Sequence, residues 1–351
     1  MGAASYTPEM TASGFQLRFI LAFAVLPTSA GALAATPEPD AAAGFQRCAA
    51  IASADVRLAC FDELAIEFGA QPAASKVDGI IDDDSSSPSR VLRRWDLEEI
   101  SQRGRFALVV YKPNYLLGGT WNFDPNQKPF DAGTLRVTNE EVKLQLSFKV
   151  KLAEDLIGGN GDLWATYSQQ SYWLAYAKSS PFRDTSYEPS LMFTWRSNFN
   201  FLGARARLFA LELNHTSNGR GDFGALSRSW NRVIGKAVFE RGNFVTEARA
   251  WWRIPESSSS DNNPDIEHYM GNGELMVSWE RGKHTLSTQV RSNFSPGKLR
   301  GAAEFSWSFP LPKSDNLKGY LQYFYGYGES LIDYNVVTNR IGIGLAFSDW
   351  Y

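Results

Sequence analysis

Alternation with a period of two residues, sustained over long stretches, restricts the folding of this chain more than any other feature. From Lys143 to Lys151 the even positions are Leu144, Leu146, Phe148 and Val150, whereas the odd ones are Lys143, Gln145, Ser147, Lys149 and Lys151. Phe305, Trp307, Phe309 and Leu311 likewise oppose Ser306 and Ser308, and Phe244, Ala248, Trp252 and Ile254 oppose Glu247, Arg249 and Arg253. The C-terminal segment alternates Ile341, Ile343, Leu345 and Phe347 with Gly342, Gly344, Ala346 and Ser348. Successive side chains of a strand point to opposite faces, so each segment presents one apolar row and one row of polar or small residues. A soluble sandwich would show shorter strands and fewer charges on its second face. Lipid outside and a polar lumen inside satisfy both rows at once. Twelve such segments run from 105–112 and 142–152, through 162–176, 189–197, 206–217 and 229–240, to 317–328 and 338–351. The expected fold is all-β: a 12-stranded antiparallel transmembrane β-barrel over 101–351, preceded by a small helical segment.

Composition agrees. The chain carries 23 Phe, 14 Tyr and 11 Trp beside 29 Gly, as expected of a barrel with aromatic girdles at both interfaces. Thirty-five basic and 38 acidic residues leave a net charge of −3, which argues against a phosphate-coating nucleic-acid binder with a basic face. Two cysteines exclude a disulfide scaffold and an all-cysteine zinc site.

Residues 1–34 read as a signal peptide: Arg18 precedes the short apolar run FILAFAVLP, and Ala32-Leu33-Ala34 supplies a small-residue cleavage pattern. Residues 35–68 show helical spacing of apolar residues with Ser53 placed to cap a second helix, which predicts a small hairpin. Cys48 and Cys60 are twelve apart, too far to pair along one helix, so a bridge requires a turn near 52–54. An oxidising compartment favours that bridge over two buried thiols. The Ala-, Pro-, Asp- and Ser-rich stretch over 69–100 reads as a linker.

Tight connections at 240–243, 281–284 and 312–316 alternate with long ones such as 255–271 and 329–337, so short turns face the periplasm and the fifth strand ends outside. That strand ends with His215, Thr216 and Ser217. His215 and Ser217 continue the outward row of Phe209, Leu211 and Leu213, while Glu212 and Asn214 face inward. A histidine and a serine on an apolar face are costly without a task. The next strand begins at Ser229, and the parity of Val233 and Phe239 turns Asn231 outward, opposite His215. Serine, histidine and an amide within reach constitute a nucleophile, a general base and an orienter. The H-x-S pair alone is a weak signal, which the interfacial end of an ordinary strand also explains. Gln169 shares outward parity with Leu163, Ala165, Tyr167 and Trp173; it fits either pairing across a two-fold axis or contact with water.

The surrounding motifs are more specific. HTSNGRGD from His215 to Asp222 and SRSWNR from Ser227 to Arg232 resemble the signature of the outer membrane phospholipase A family. YSQQSYW (Tyr167–Trp173), SSPFRDTSYEP (Ser179–Pro189) and YFYGYGESLIDYN (Tyr323–Asn335) extend the resemblance over most of the chain from about 105 onward. The resemblance implies calcium-dependent hydrolysis of phospholipid acyl esters by a homodimer in the outer membrane. Ser217 would be the nucleophile, His215 the base, Asn231 the orienter and the Gly219 amide an oxyanion donor. Calcium would be held by the Arg220 carbonyl, the Ser227 hydroxyl and the Ser179 carbonyl of a second subunit, and Gln169 would be a dimer contact. Loops absorb insertions, and around 223–226 this one is about two residues longer than the family pattern, which makes Asp222 a further candidate ligand. Two other readings are a lipid A deacylase-type barrel and a non-catalytic porin or adhesin.

Overall fold

The computed structural model describes residues 39–67, 89–97, 103–130, 135–221, 226–295, 298–314 and 316–351; the expected signal peptide lies outside them. The chain divides into two compact units, Met1–Ile81 and Asp82–Tyr351. In the first, helices α1 (Pro39–Ala49) and α2 (Ala54–Glu67) are joined by a Cys48–Cys60 disulfide with Cα atoms 5.5 Å apart. The Arg57 guanidinium donates to the Ile51 carbonyl and holds the turn between them. Gly44 lets the helices approach: a Cβ there would stand 2.5 Å from Leu64 Cδ1.

In the second unit the alternating rows close on themselves. Strands β2 (Asn114–Asn122), β3 (Glu140–Ala153), β4 (Asp162–Trp173), β5 (Phe182–Phe201), β6 (Ala204–Ser217), β7 (Ser229–Arg241) and β8 (Phe244–Ile254) follow one another. They continue through β9 (Gly273–Arg281), β10 (His284–Ser292), β11 (Gly301–Pro310), β12 (Lys318–Tyr327) and β13 (Val337–Ser348). Each pairs antiparallel with its predecessor, and β13 pairs with β2, so the twelve strands form a closed barrel without free edges. The segment expected as the first barrel strand, 105–112, is instead the short β1 (Leu108–Val110), an extra strand lying on the β3 residues Phe148–Val150. The true first strand begins at Asn114. Its Gly118-Gly119 pair sits where the register with β3 shifts between Leu117 and Thr120, which interrupts the pattern by which the others are read.

The distribution of side chains is inverted relative to a soluble domain. Leu146, Leu191, Leu211, Leu213, Ile343 and Phe347 are exposed, whereas Lys143, Lys149, Glu141 and Glu212 are buried. Only a lipid surround and a protein-filled lumen make both placements favourable. Inside, charges pair across the barrel. Lys236 meets Glu212 at 2.5 Å, Glu188 takes Lys112 at 2.6 Å and Arg232 at 3.3 Å, and Glu329 takes Arg340 at 2.8 Å and Lys143 at 3.1 Å. The inward charges Glu247 and Arg249 belong to this network, at 2.5 Å. A cavity of about 200 Å³ remains among them.

The two ends are closed differently. At the short-turn end, part of the stretch expected as linker folds as helix α3 (Arg90–Arg94), which corrects the 69–100 boundary. The Ser89 hydroxyl caps α3 by accepting from Leu92 N, and donates to Glu240 at 2.5 Å; Arg90 reaches the Gly242 carbonyl and Glu280. Trp95 then lies edge-on to Tyr111 and Trp164. At the long-loop end, Trp230, Ile234 and Trp251 pack with Ile266 and Met270 of α4 (Ile266–Met270) and with Leu331 and Tyr334. Burial and the Asp265 carboxylate, which accepts the Tyr334 hydroxyl, push that phenol upward, so it remains a donor.

Candidate active site

The β6–β7 hairpin sets the site. Its register places His215 opposite Asn231 and Ser217 opposite Ser229, at the long-loop end of the barrel. Along β6, Leu211, Leu213 and His215 are exposed and Ser217 is half-buried, whereas Glu212, Asn214 and Thr216 are buried. The histidine and serine therefore continue the lipid-facing row. His215 Nδ1 lies 2.8 Å from Asn231 Oδ1. An amide oxygen accepts only, so this contact places the imidazole proton on Nδ1 and leaves Nε2 free as a base. Among the described residues Ser217 Oγ has no hydrogen-bond partner; serine–base contacts commonly tighten only with substrate present.

The loop after Ser217 is held by Asn218, which sequence reasoning passed over. Its main-chain N–H donates to the Arg228 carbonyl at 3.0 Å, and its side-chain oxygen accepts from Arg228 N at 3.0 Å. Its side-chain nitrogen donates to the Leu226 carbonyl at 2.8 Å and to Asp184 at 3.3 Å. The clamp fixes residues 226 and 228 beside 218, so Ser227 is carried to the start of the loop whatever the length of its tip. The expected length excess falls mostly on 223–225, which, like Asp222, lie outside the described residues.

Gly219 adopts φ +62°, and a Cβ there would meet the Tyr187 ring at 2.9 Å. Tyr187 pairs with Ser217 across β5–β6. Among the described residues the Gly219 N–H donates to no protein acceptor. The Arg220 carbonyl and the Ser227 hydroxyl are also without hydrogen-bond partners there. The Arg220 guanidinium is anchored instead to the Arg183 carbonyl and to Asp184 at 3.8 Å. Asp184 accepts from Ile332 N at 3.1 Å, and Arg183 is held between Glu141, at 2.5 Å, and Asp333, at 2.5 Å. The three motifs around Ser217, Arg183 and Asp333 thus converge on one rim.

No group of three or more His, Cys, Asp or Glu that could hold a metal ion occurs among the described residues. The oxygens without partners at Arg220 and Ser227 are neutral and hard, a donor type that suits calcium rather than a transition metal. Ser179 lies in the β4–β5 turn, exposed and with φ +71°. Gln169 faces outward and is half-buried. It accepts from Tyr167 Oη at 2.8 Å and donates to Ser171 Oγ at 3.2 Å, which in turn accepts from Thr185 at 3.1 Å. This polar seam crosses the apolar wall. Asn231 Nδ2 also donates to Glu256 Oε1 at 3.4 Å, a contact unforeseen from sequence. The signal for it was parity: Ile254 pairs with Asn231, and Glu256 follows two residues on.

A closed membrane barrel with a histidine–amide pair beside a serine on its outer wall has the form of a membrane-embedded hydrolase. The family model for phospholipase A1 matches residues 91–347. Phospholipase A1 of Klebsiella pneumoniae is 39% identical over 250 residues, 70% of this chain and 84% of its own length. The Escherichia coli K12 phospholipase A1 is 37% identical, over 70% and 83%. Among solved structures, outer membrane phospholipase A from Escherichia coli superposes with a TM-score of 0.64 at 35% identity, covering 71% of this chain and 95% of that one. The Salmonella typhi outer membrane phospholipase, solved as a dimer with bound calcium, gives 0.64 at 36%, with the same coverage. The chain belongs to the phospholipase A1 family. It is an ester hydrolase of the bacterial outer membrane, as the motif resemblance implied. The match includes α3 and leaves out the disulfide hairpin.

Proposed function

We propose that the chain hydrolyses the acyl esters of phospholipids and lysophospholipids in the outer leaflet, with Ser217 as nucleophile, His215 as general base and Asn231 as orienter. The observation carrying this reading is the 2.8 Å His215–Asn231 contact in the same outward row as Ser217, at the long-loop end of the barrel. Acyl chains would run along Leu213 and Leu211. Ser217 Oγ attacks the ester carbonyl carbon while its proton passes to His215 Nε2. The carbonyl oxygen, now negative, turns to the Gly219 N–H, and collapse expels the lysophospholipid alkoxide, which takes the proton back from His215. Water, deprotonated by the same nitrogen, then attacks the acyl-serine carbonyl and releases the fatty acid with Ser217 restored. Asn231 stabilises the imidazolium without setting a bare charge in the wall.

The Arg220 carbonyl and Ser227 hydroxyl would hold calcium together with the Ser179 carbonyl of the partner subunit, with Asp222 as a further candidate. Bound there, the cation would add positive charge beside the developing oxyanion. This arrangement implies a homodimer, for which the Gln169 seam is the proposed contact. Fluorophosphonate labelling of purified protein followed by peptide mapping tests the nucleophile. Label is expected on Ser217, with none taken up by Ser217→Ala and a rate lower by at least about a thousandfold. Label on another serine overturns the assignment.

A further inference from the structure

Resting on the triad proposed above, one acidic residue outside it has a task that the Ser–His–Asn constellation does not account for. Asn231 presents two chemically different ends that are nearly the same in shape. Only one of its orientations serves His215: with the oxygen towards Nδ1 the imidazole keeps its proton there and Nε2 is a base. With the amide reversed, an N–H faces Nδ1 instead; the proton moves to Nε2 and the base is lost. The His215 contact alone does not choose, because the imidazole can adjust its tautomer to either end of the amide. The choice needs a group on the far side of Asn231 that cannot adjust. Glu256 meets this requirement. Its carboxylate accepts only, and Oε1 lies 3.4 Å from Asn231 Nδ2.

Its position follows from the strand geometry. Ile254, the last residue of β8, pairs with Asn231, and Glu256 lies two residues further on the same outward side, half-buried. A carboxylate on the outer side of the wall has a desolvation cost, which the rim of the barrel reduces. The segment after it is held at both sides. Arg253 binds Asp261 at 2.8 Å, and Asn263 accepts from Ser229 N at 3.0 Å, tying the β8–β9 loop to the first residue of β7.

We propose that Glu256 is a positioning residue that acts through Asn231: it fixes the amide orientation, and the amide fixes the histidine tautomer. The consequence is confined to turnover. Glu256 touches neither nucleophile nor base, so its removal lowers the productive fraction of the enzyme without altering lipid binding.

The test is a double-mutant cycle on the full-length protein, with kcat and KM measured on a short-chain phosphatidylcholine in mixed micelles at saturating calcium. Glu256→Ala is expected to lower kcat about tenfold with KM within about twofold, because misorientation removes competent molecules and not affinity. Glu256→Gln keeps the shape but can present either end of its amide to Asn231, so it should lose nearly as much as the alanine variant, a loss that a packing role would not produce. In an Asn231→Ala background, Glu256→Ala should add no further loss. Heat-modifiable electrophoretic migration checks folding, and Glu256→Ser replaces the alanine variant if that one does not assemble. The inference is overturned by a wild-type kcat in Glu256→Ala, by an effect confined to KM, by a wild-type kcat in Glu256→Gln, or by an equal loss in the Asn231→Ala background. If Asn231→Ala itself retains full activity, the triad reading falls together with it. A loss in Asn231→Ala with none in Glu256→Ala removes this inference alone.

Discussion

Gly219 answers two demands at one position. Its φ of +62° turns the chain out of β6, and its missing Cβ leaves room for the Tyr187 ring. An alanine would have to adopt the left-handed region and displace that ring, and either adjustment moves the amide N–H proposed as the oxyanion donor. Gly219→Ala is therefore expected to fold normally but to lose about a hundredfold in kcat, the scale associated with one oxyanion donor. Activity within twofold of wild type would show that this amide does not contribute. At this scale much of the site was legible. Strand parity assigns Ser217, His215 and Asn231 to one side, and a single hairpin register brings the last two together. Arg220 was not readable from side-chain chemistry, since its candidate ligand is a backbone carbonyl. Asn218 was not readable because its partners are fixed by loop geometry, which no period describes, and Glu256, though in parity with Ile254, lies beyond the end of β8.

Among the elements, α3 departs furthest from its sequence. The Asp/Ser-rich stretch before it has the composition of a linker, and five residues are too short a run to show a helical period. Its stability comes from the barrel. Glu240 takes the Ser89 hydroxyl and the Arg90 amide at 3.0 Å, and Lys149 donates to the Arg94 carbonyl at 2.8 Å. The same ammonium stands 3.3 Å from the centre of the Trp95 ring and 4.7 Å from that of Trp164, a cation enclosed by two aromatic faces. Trp95→Ala would remove both the fully packed ring and half of that enclosure. It should lower stability by about 3–5 kcal/mol, read as a reduced midpoint for the heat-induced shift in gel migration. Since α3 lies at the short-turn end and the proposed triad at the other, kcat at room temperature should stay within twofold. An unchanged midpoint would mean that α3 rests on the barrel without supporting it. The strand missed by sequence reading, β2, failed for a related reason: its two glycines carry no polarity, and the bulge beside them breaks the period.

For the whole molecule, fold class was legible because lipid and lumen impose opposite demands on alternate residues, and each long strand repeats that message. What alternation does not reveal is how the outer wall is used. The lumen is lined by paired charges and closed by α3 at one end and the α4 cluster at the other, which agrees with the proposed use of the lipid-facing surface for chemistry. On that surface the seam of Tyr167, Gln169, Ser171 and Thr185 interrupts an apolar field, and half-buried amide hydrogen bonds beside hydrocarbon gain from a second barrel that covers them. If the partner's Ser179 completes the calcium site, dimerisation and activity must rise together. Specific activity in detergent, at fixed calcium, is then expected to climb with protein concentration and to be lost reversibly on chelation. Gln169→Ala should shift that rise to about five- to tenfold higher protein, matching about 1 kcal/mol for a buried amide contact across the interface. The plateau reached should equal that of the wild type, because the triad is untouched. A concentration-independent activity would remove the shared site. A rise at the same concentration in the variant would place the dimer contact elsewhere on the wall.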